Sequence, residues 1–499
     1  MFSSRNRRTS ELDSLKNNGD SNHGNSTSGA SANGASANGV ASVSDSQLTF
    51  DDANSQLSTR LAGSRALPSR LGRLRKSFPR RSNLMLYVSV MGPGLIAALA
   101  GNDAGGIGTY SFAGARYGYS LLWLLFIITF VLALVQEMAA RMGAVTQKGL
   151  GELIREHYGV SWTLFALGVM FIANVATTIS EFAGIAAAGE LFGLSKYFTV
   201  PIAAVVMWLV VARGPYRLVE RIFLAICLVQ ATYIVAAFRA VHLHPPPGEW
   251  NYILTQLVRP SWKHDTEFIL LCIGLIGTTI TPYMQFFLQS TIVDKGIHVG
   301  EYRYQKADVY AGVLVTNIVA FFIIVCTAAT IHASGVKVDP DTFDAKTAAL
   351  ALSQPLGQIG TYLFAAGLLA ASLLAAAVLP LTTAYTYCEA FGWEIGVQKS
   401  WKEAPVFYGF FTITLGLAAL FVLFPNVPLF AVMLISQDVN GILLPVVLVF
   451  MLKLVNTRRI MGEHVNGRTQ NIIAWSSVIL LIALTLVLLG SSLWGMLKG

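Results

Sequence analysis

The stretches 121-LLWLLFIITFVLALV-135, 308-DVYAGVLVTNIVAFFIIVCTAATI-331 and 472-IIAWSSVILLIALTLVLLG-490 leave this chain few ways to fold. They approach the roughly 20 residues that a helix needs to cross the hydrocarbon of a bilayer. In hydrocarbon the backbone must satisfy its own hydrogen bonds. Runs of this length do so as helices, whereas barrel strands span about 10 residues. Only 12% of the 499 residues are charged and 54% are hydrophobic, against about 25% charged in an ordinary soluble chain. A soluble all-α protein would need polar faces on most helices, and these runs have none. The expected class is an all-α polytopic membrane protein.

Apolar windows mark eleven candidate spans, near residues 86–115, 119–142, 161–192, 199–212, 217–239, 268–292, 308–331, 357–388, 406–424, 428–452 and 472–491. The fourth is short and the weakest. They group as 1–80, a polar and basic tail; 86–239, spans one to five; 268–452, spans six to ten; and 472–491, an eleventh helix. The tail segment 14–47 is rich in Ser, Asn, Gly and Ala, has little to bury and is expected to be disordered. It lacks the apolar core of a signal peptide. From Arg60 to Arg81 the tail turns basic, which suits anionic lipid head groups or a solvated topogenic cluster, and not nucleic acid. Beyond the tail, fifteen Lys and Arg fall on the side of the N-terminus and eight on the other. By the positive-inside rule the N-terminus is cytoplasmic and the C-terminus outside, in a multi-pass protein of the cell membrane. Cys227, Cys272, Cys326 and Cys388 lie in or beside apolar runs without CxxC spacing and read as small hydrophobes.

Two spans are abnormal. The first reads 92-GPGLIAALAGNDAGGIGTYSFAG-114 and places Asn102 and Asp103 in mid-span among Gly101, Gly105, Gly106 and Gly108. Glycine weakens a helix, and a carboxylate at bilayer depth costs at least about 2.5 kcal/mol. A small-residue packing face explains the glycines but not the aspartate. A break in the helix explains both, because it leaves carbonyls and a half-helix end beside the carboxylate. The sixth span, 274-GLIGTTITPYMQFFLQS-290, carries Pro282, which lacks an amide hydrogen and disrupts the preceding turn. Thr278, Thr279, Thr281, Gln285 and Gln289 make the same stretch polar. Interrupted helices at matching places in two halves point to an inverted-repeat transporter with its site at the midplane, although the halves show no residue-level repeat.

Asp103, carbonyls near Gly101 and Thr279, and polar groups of Asn102, Thr281 and Gln285 are therefore the candidate cation ligands. Glu137 and Glu181 are candidates for a proton pathway or a charged vestibule, with a structural role as the alternative. Tyr283, Met284, Asp438 and Asn440 are candidates for a gate or for support of the ligands; Thr382, Thr383 and Glu389 are weaker ones. His242 and His244 lie in an external loop with three prolines and are not read as a metal site. No P-loop or kinase-like motif marks a pump or an enzyme, and no cofactor is expected.

Residues 92-GPGLIAALAGNDAGG-106, 136-QEMAARMGAVTQKGLGELI-154, 178-TISEFAGIAAAGELFGL-194 and 436-SQDVNGILLP-445 resemble the natural-resistance-associated macrophage protein (NRAMP) family of divalent metal transporters over roughly residues 86–491. The resemblance implies a LeuT-like fold, two inverted five-helix repeats with an eleventh helix appended. In its first span, Asp103 falls on the family's metal-binding aspartate, Ala104 replaces its proline, and Gly106 stands where its asparagine ligand belongs. In the sixth span, alignment on Pro282 puts Thr281 on the metal-binding methionine and Tyr283 on the histidine. Alignment back from Ser290 puts Gln285 on the asparagine instead, so one residue is extra between the anchors. Under either alignment the histidine is missing, which puts proton coupling in doubt, and Met284 falls on no ligand position. A thioether favours late transition ions, whereas carboxylate, carbonyl and water suit Mg²⁺ and Mn²⁺. The sequence is similar to the branch of NRAMP-related magnesium transporters. The resemblance thus implies import of Mg²⁺ and Mn²⁺ by alternating access without proton coupling, with proton-coupled Mn²⁺/Fe²⁺ symport as the alternative. An amine-substrate carrier on the same fold and a non-transporting scaffold or sensor are the rivals. The expected partners are the lipid bilayer and the divalent ion, and the sequence leaves the oligomeric state open, a monomer included.

Overall fold

A computed structural model describes residues 101–213, 228–263, 265–336, 338–340, 342–396 and 399–498, with side chains to residue 488. The tail 1–80 with its basic cluster, the first half of the first span, residues 217–227 of the fifth and Cys227 lie outside the described residues. The described residues begin at Gly101. Helix α1 (Ala104–Tyr117) starts directly after Asp103, and α2 (Leu122–Thr146) follows. Next come α3 (Leu150–Leu191), α4 (Lys196–Arg213) and, after a 3₁₀ turn at Leu228–Ala231, α5 (Thr232–Leu243). The short helix α6 (Glu249–Gln256) leads to α7 (Thr266–Thr279) and α8 (Pro282–Asp294). Helix α9 (Tyr302–Thr327) closes in a π turn at Ala328–His332. The short α10 (Ala345–Leu356) then precedes α11 (Gln358–Phe391), α12 (Pro405–Leu423), α13 (Leu429–Val455) and α14 (Arg468–Lys498).

Nine of the described helices, with α7 and α8 taken as one, are long and apolar enough to span a bilayer. Large apolar side chains such as Phe130, Leu314, Ile435 and Leu486 stand more than half exposed. In water such a surface would aggregate; in a bilayer it is the lipid face. The weak fourth candidate is present as the 18-residue α4. The third differs from expectation. Its helix begins at Leu150, eleven residues before the expected start at 161, because Gly159 adopts φ +79° and lets a preliminary helix join the span across a kink. That left-handed conformation is open to glycine at little steric cost.

Helix α3 packs on both α11 and α13, and α7 packs on α13. The α7–α13 crossing is close enough that a side chain at Gly277 would meet the backbone of Gly441, and one at Gly441 would meet the backbone of Ile273. Small residues give this intimacy, because no hydrophobic driving force separates helix from lipid and van der Waals packing must hold helices together. The result holds the break of the sixth span against α13 and places α1 beside it.

Candidate cation site

The expected break in the sixth span is present, and in the first span the described helix starts directly after Asp103; the local chemistry explains both. Asp103 has extended backbone (φ −72°, ψ −176°) and caps α1, its Oδ1 accepting from the Gly106 N–H at 2.6 Å. The Ala104 N–H donates to Glu181 Oε2 of α3 at 3.1 Å. Two carboxylates from different spans thus share one helix N-terminus, where free N–H groups and the helix dipole favour negative charge. In the sixth span α7 stops at Thr279, Ile280 leaves helical geometry (φ −121°, ψ 67°), and Pro282 opens α8 at the position where its missing N–H is harmless. The last turn of α7 thereby offers its carbonyl end, and α1 its amide end, to the same region.

The two breaks are tied together. Tyr110 and Thr279 hydroxyls lie 3.0 Å apart, and a Cβ built on Gly106 would lie 3.1 Å from Thr278 Oγ1 and 2.8 Å from Gly101 O. Gly105 is needed for a like reason, since a side chain there would run into the Gln437 amide and come within 2.9 Å of Ser180 Oγ. The Asn102 side-chain amide donates to Thr316 O at 3.2 Å, while the Asn102 backbone carbonyl accepts from Gln230 Nε2 at 3.1 Å.

The unsatisfied atoms are the informative ones. Asp103 Oδ2, Glu181 Oε1, Asn102 Oδ1, Thr278 Oγ1, Thr281 Oγ1 and Gln285 Oε1 are all sealed from solvent with no hydrogen-bond partner. Native proteins leave few such groups, and each requires an explanation such as water or an ion. All are oxygens. Gln285 spends its amide nitrogen on Thr281 O at 3.2 Å, and the Thr279 hydroxyl donates to Leu275 O at 2.7 Å, so Thr279 would offer a carbonyl and not its side chain. Met284 Sδ accepts from Gln136 of α2 at 3.5 Å, which engages the one thioether of this stretch. Among the described residues, no three His, Cys, Asp or Glu side chains form a metal cage.

The remaining candidates separate by position. Glu181 belongs with Asp103, as its bond to Ala104 shows. Tyr283 is buried within electrostatic reach of both carboxylates. Glu137 sits in the second half of α2, where Tyr302 donates to it and Arg141 pairs with it at 3.3 Å. Asp438 stands beside Gly274, one turn up α7 from Thr278. Asn440 donates to Thr177 of α3 at 2.8 Å and to Gln437 Oε1 at 3.0 Å. Thr383 accepts from Asn174 at 2.9 Å, the Thr382 hydroxyl donates within its own helix, and Glu389 accepts from Ser290 at 2.9 Å.

Sequence reasoning missed Gln437, Ser180, Gln230 and Thr316. Gln437 was within reach, since it lies three residues before Asn440 and so shares its face of α13, whereas Asp438 points elsewhere. Its lack of charge hid it.

The breaks, the glycine contacts and the paired carboxylates span a length of chain that comparison with known proteins can place. A family model described as natural resistance-associated macrophage protein-like matches residues 94–491. The chain belongs to this family. It is 28% identical over 425 residues to the divalent metal cation transporter MntH of Pectobacterium carotovorum subsp. carotovorum (strain PC1), covering 83% of this chain and 97% of that one. With MntH of Bacillus subtilis (strain 168) it shares 26% over 413 residues, 80% and 91% of the two chains. Among solved structures, a manganese transporter of Eremococcus coleocola aligns with TM-score 0.67 at 22% identity, over 84% of this chain and 90% of its own. MhsT, solved with L-phenylalanine, aligns with TM-score 0.54 at 17% identity, over 80% and 98%. The fold is therefore the LeuT-like one, and this NRAMP-family chain is a multi-pass membrane protein and not an enzyme.

One stability prediction arises here. Glu181→Gln keeps an acceptor for the Ala104 N–H, whereas Glu181→Ala leaves that buried donor orphaned, at a cost of about 1–3 kcal/mol. Thermal unfolding in detergent should show the alanine variant clearly below the glutamine one; equal midpoints would mean the bond carries no weight.

Proposed function

We propose that this NRAMP-family protein imports divalent metal cations by alternating access, with Mg²⁺ and Mn²⁺ as its ions and no coupled proton. The observation that carries the reading is the set of buried, partnerless oxygens at two helix breaks, anchored by Asp103. Relatives named as divalent metal cation transporters support the cargo class. An all-oxygen donor set suits hard ions. Asp103 is the central ligand, joined by carbonyls near Gly101 and Thr279 and by oxygens of Asn102, Thr281 and Gln285. Glu181 adds a second negative charge at the same helix end.

The ion reaches the site from outside, drawn by the carboxylates. Movement of the broken spans against α3, α11 and α13 then exposes it to the cytoplasm. With the N-terminus cytoplasmic, an inward-negative potential contributes about 4.6 kcal/mol per 100 mV for a divalent ion, twice the single-charge figure. Uptake needs no other driving force. Spans one to five (to residue 239) and six to ten (268–452) act as the two inverted repeats, with α14 appended.

The test is uptake into proteoliposomes, with Mg²⁺ and Mn²⁺ offered separately and internal pH recorded. Mg²⁺ uptake without acidification is expected. Mn²⁺ uptake with acidification and no Mg²⁺ signal would overturn the proposal in favour of a proton-coupled symporter. That second reading is favoured by the manganese transporter among the structural neighbours.

A further inference from the structure

Away from Asp103, the end of α5 and the start of α6 border an open cavity of about 670 Å³, a size usual for small-ligand sites, which run from roughly 300 to 1,000 Å³. Phe238, Arg239 and His242 of α5 line it, with Glu249 and Trp250 of α6. The local sequence builds it. Pro245, Pro246 and Pro247 cannot continue α5. Gly248 and Glu249 then take left-handed backbone, φ +83° and +48°, and the chain doubles back. The Trp250 ring centroid lies 4.6 Å from that of Phe238 and 6.4 Å from that of Phe322 on α9, so three helices meet in one aromatic cluster beside the cavity.

The polar side chains of the cavity carry both signs, and none is engaged. Among the described residues, the Arg239 guanidinium, the His242 ring and the Glu249 carboxylate make no hydrogen bond or ion pair, not even Arg239 with Glu249, and the Trp250 indole N–H is equally free. One guanidinium and one carboxylate in the same wall favour a ligand that itself carries both signs. The position narrows the ligand further. Arg239 stands at the end of the fifth span as read from the sequence, and tryptophan gathers at the boundary of water and lipid. Val235, Phe238, Arg239 and His242 recur at three- and four-residue spacing and so share one face of α5. Val235 and Phe238 are more than half exposed. Over about 10 Å, seven residues at 1.5 Å each, this face passes from polar at His242 to apolar at Val235. That is the profile of an amphiphile, head and tail.

We propose that this cavity holds a zwitterionic phospholipid, with its phosphate on Arg239, its ammonium beside Glu249 and an acyl chain along Phe238 and Val235. The planar guanidinium suits phosphate because it offers two parallel N–H donors, and His242 and the Trp250 indole add further donors. The ammonium gains the Glu249 carboxylate and the face of Trp250, a favourable surface for a cation. A lipid held this way ties α5 and α6 together beside their contact with α9. The site does not depend on which ion the chain carries.

Full-length protein, delipidated in detergent and titrated with phosphatidylethanolamine or phosphatidylglycerol, tests this, with bound lipid counted by native mass spectrometry. The wild type should hold one phosphatidylethanolamine, more tightly than it holds phosphatidylglycerol. Arg239→Gln removes the phosphate partner and should weaken both lipids roughly tenfold. Glu249→Gln should weaken phosphatidylethanolamine alone and bring it level with phosphatidylglycerol. Both side chains are exposed, so the variants should fold and, without lipid, unfold at the wild-type temperature. Should Arg239→Gln misfold, His242→Ala takes its place and should also weaken both lipids. Wild-type lipid binding by the phosphate-side variant and by Glu249→Gln overturns the site. Tighter binding of phosphatidylglycerol than of phosphatidylethanolamine, unaffected by Glu249→Gln, also overturns it, because the cavity is then a plain anion site. Displacement of the lipid by excess inorganic phosphate overturns it in favour of free phosphate.

Discussion

Proteoliposomes carrying Asp103→Ala take up neither Mg²⁺ nor Mn²⁺ above the level of empty vesicles; this is the largest effect expected of any single substitution. Asp103 is the one carboxylate placed within the break itself, and one of its oxygens is free of any hydrogen bond while sealed from solvent. Removing one partner of a buried charged contact costs about 2–5 kcal/mol, which corresponds to a loss of roughly 30-fold to several thousand-fold in occupancy. Alanine also removes the cap on α1, a stability loss of about 1 kcal/mol, so inactivity of Asp103→Ala alone would be ambiguous. Asp103→Asn separates the two effects, because asparagine caps a helix as well as aspartate does. It should unfold at the wild-type temperature and still fail to transport. Wild-type uptake by the asparagine variant would place the ion path elsewhere in the molecule.

The second large effect lies in packing. Gly277→Val should abolish a monodisperse, folded protein. A Cβ at Gly277 would lie 2.8 Å from Gly441 Cα and closer still to backbone atoms of Gln437 and Gly441. Backbone cannot rotate aside as a side chain can. Overpacking of this kind costs about 1–3 kcal/mol or more, a large share of the 5–15 kcal/mol that typically holds a fold together. Displacement of α13 also moves Gln437 off Gly105, so residual folded protein should transport poorly. Gly416→Val is the control, since nothing lies within 4 Å of a Cβ on Gly416 of α12. Size-exclusion profiles and thermal midpoints compare the two. Equal stability of both variants would show that the α7–α13 contact is looser than described.

Most of the fold was legible from the chain alone because the bilayer admits so few solutions. A run such as 472–490 has to be a helix, and its length has to match the membrane. The two interruptions were legible for the same reason. Proline at 282 and a glycine-flanked Asp103 are both unfavourable in a continuous spanning helix, so their presence marks the places where α7 stops and α1 starts. The start of α3 was not legible, because the segment before Gly159 is too polar to count as a span and only the positive φ of that glycine joins it to one.

The candidate site divides along a similar line. Sequence pointed to a candidate oxygen-bearing site anchored on Asp103 and facing the break in the sixth span, since local composition sets where a helix begins or ends and which donors stand there. It could not determine what faces those donors. That Glu181 shares the N-terminus of α1 with Asp103, that Gln437 and Ser180 close over Gly105, that Met284 turns to Gln136, and that Asp438 points away are matters of how α2, α3, α7 and α13 cross. Those crossings are set by contacts between residues more than seventy positions apart, and no local pattern encodes them. Hydrophobic content fixes that helices span; close packing at glycines decides which of their few polar atoms meet.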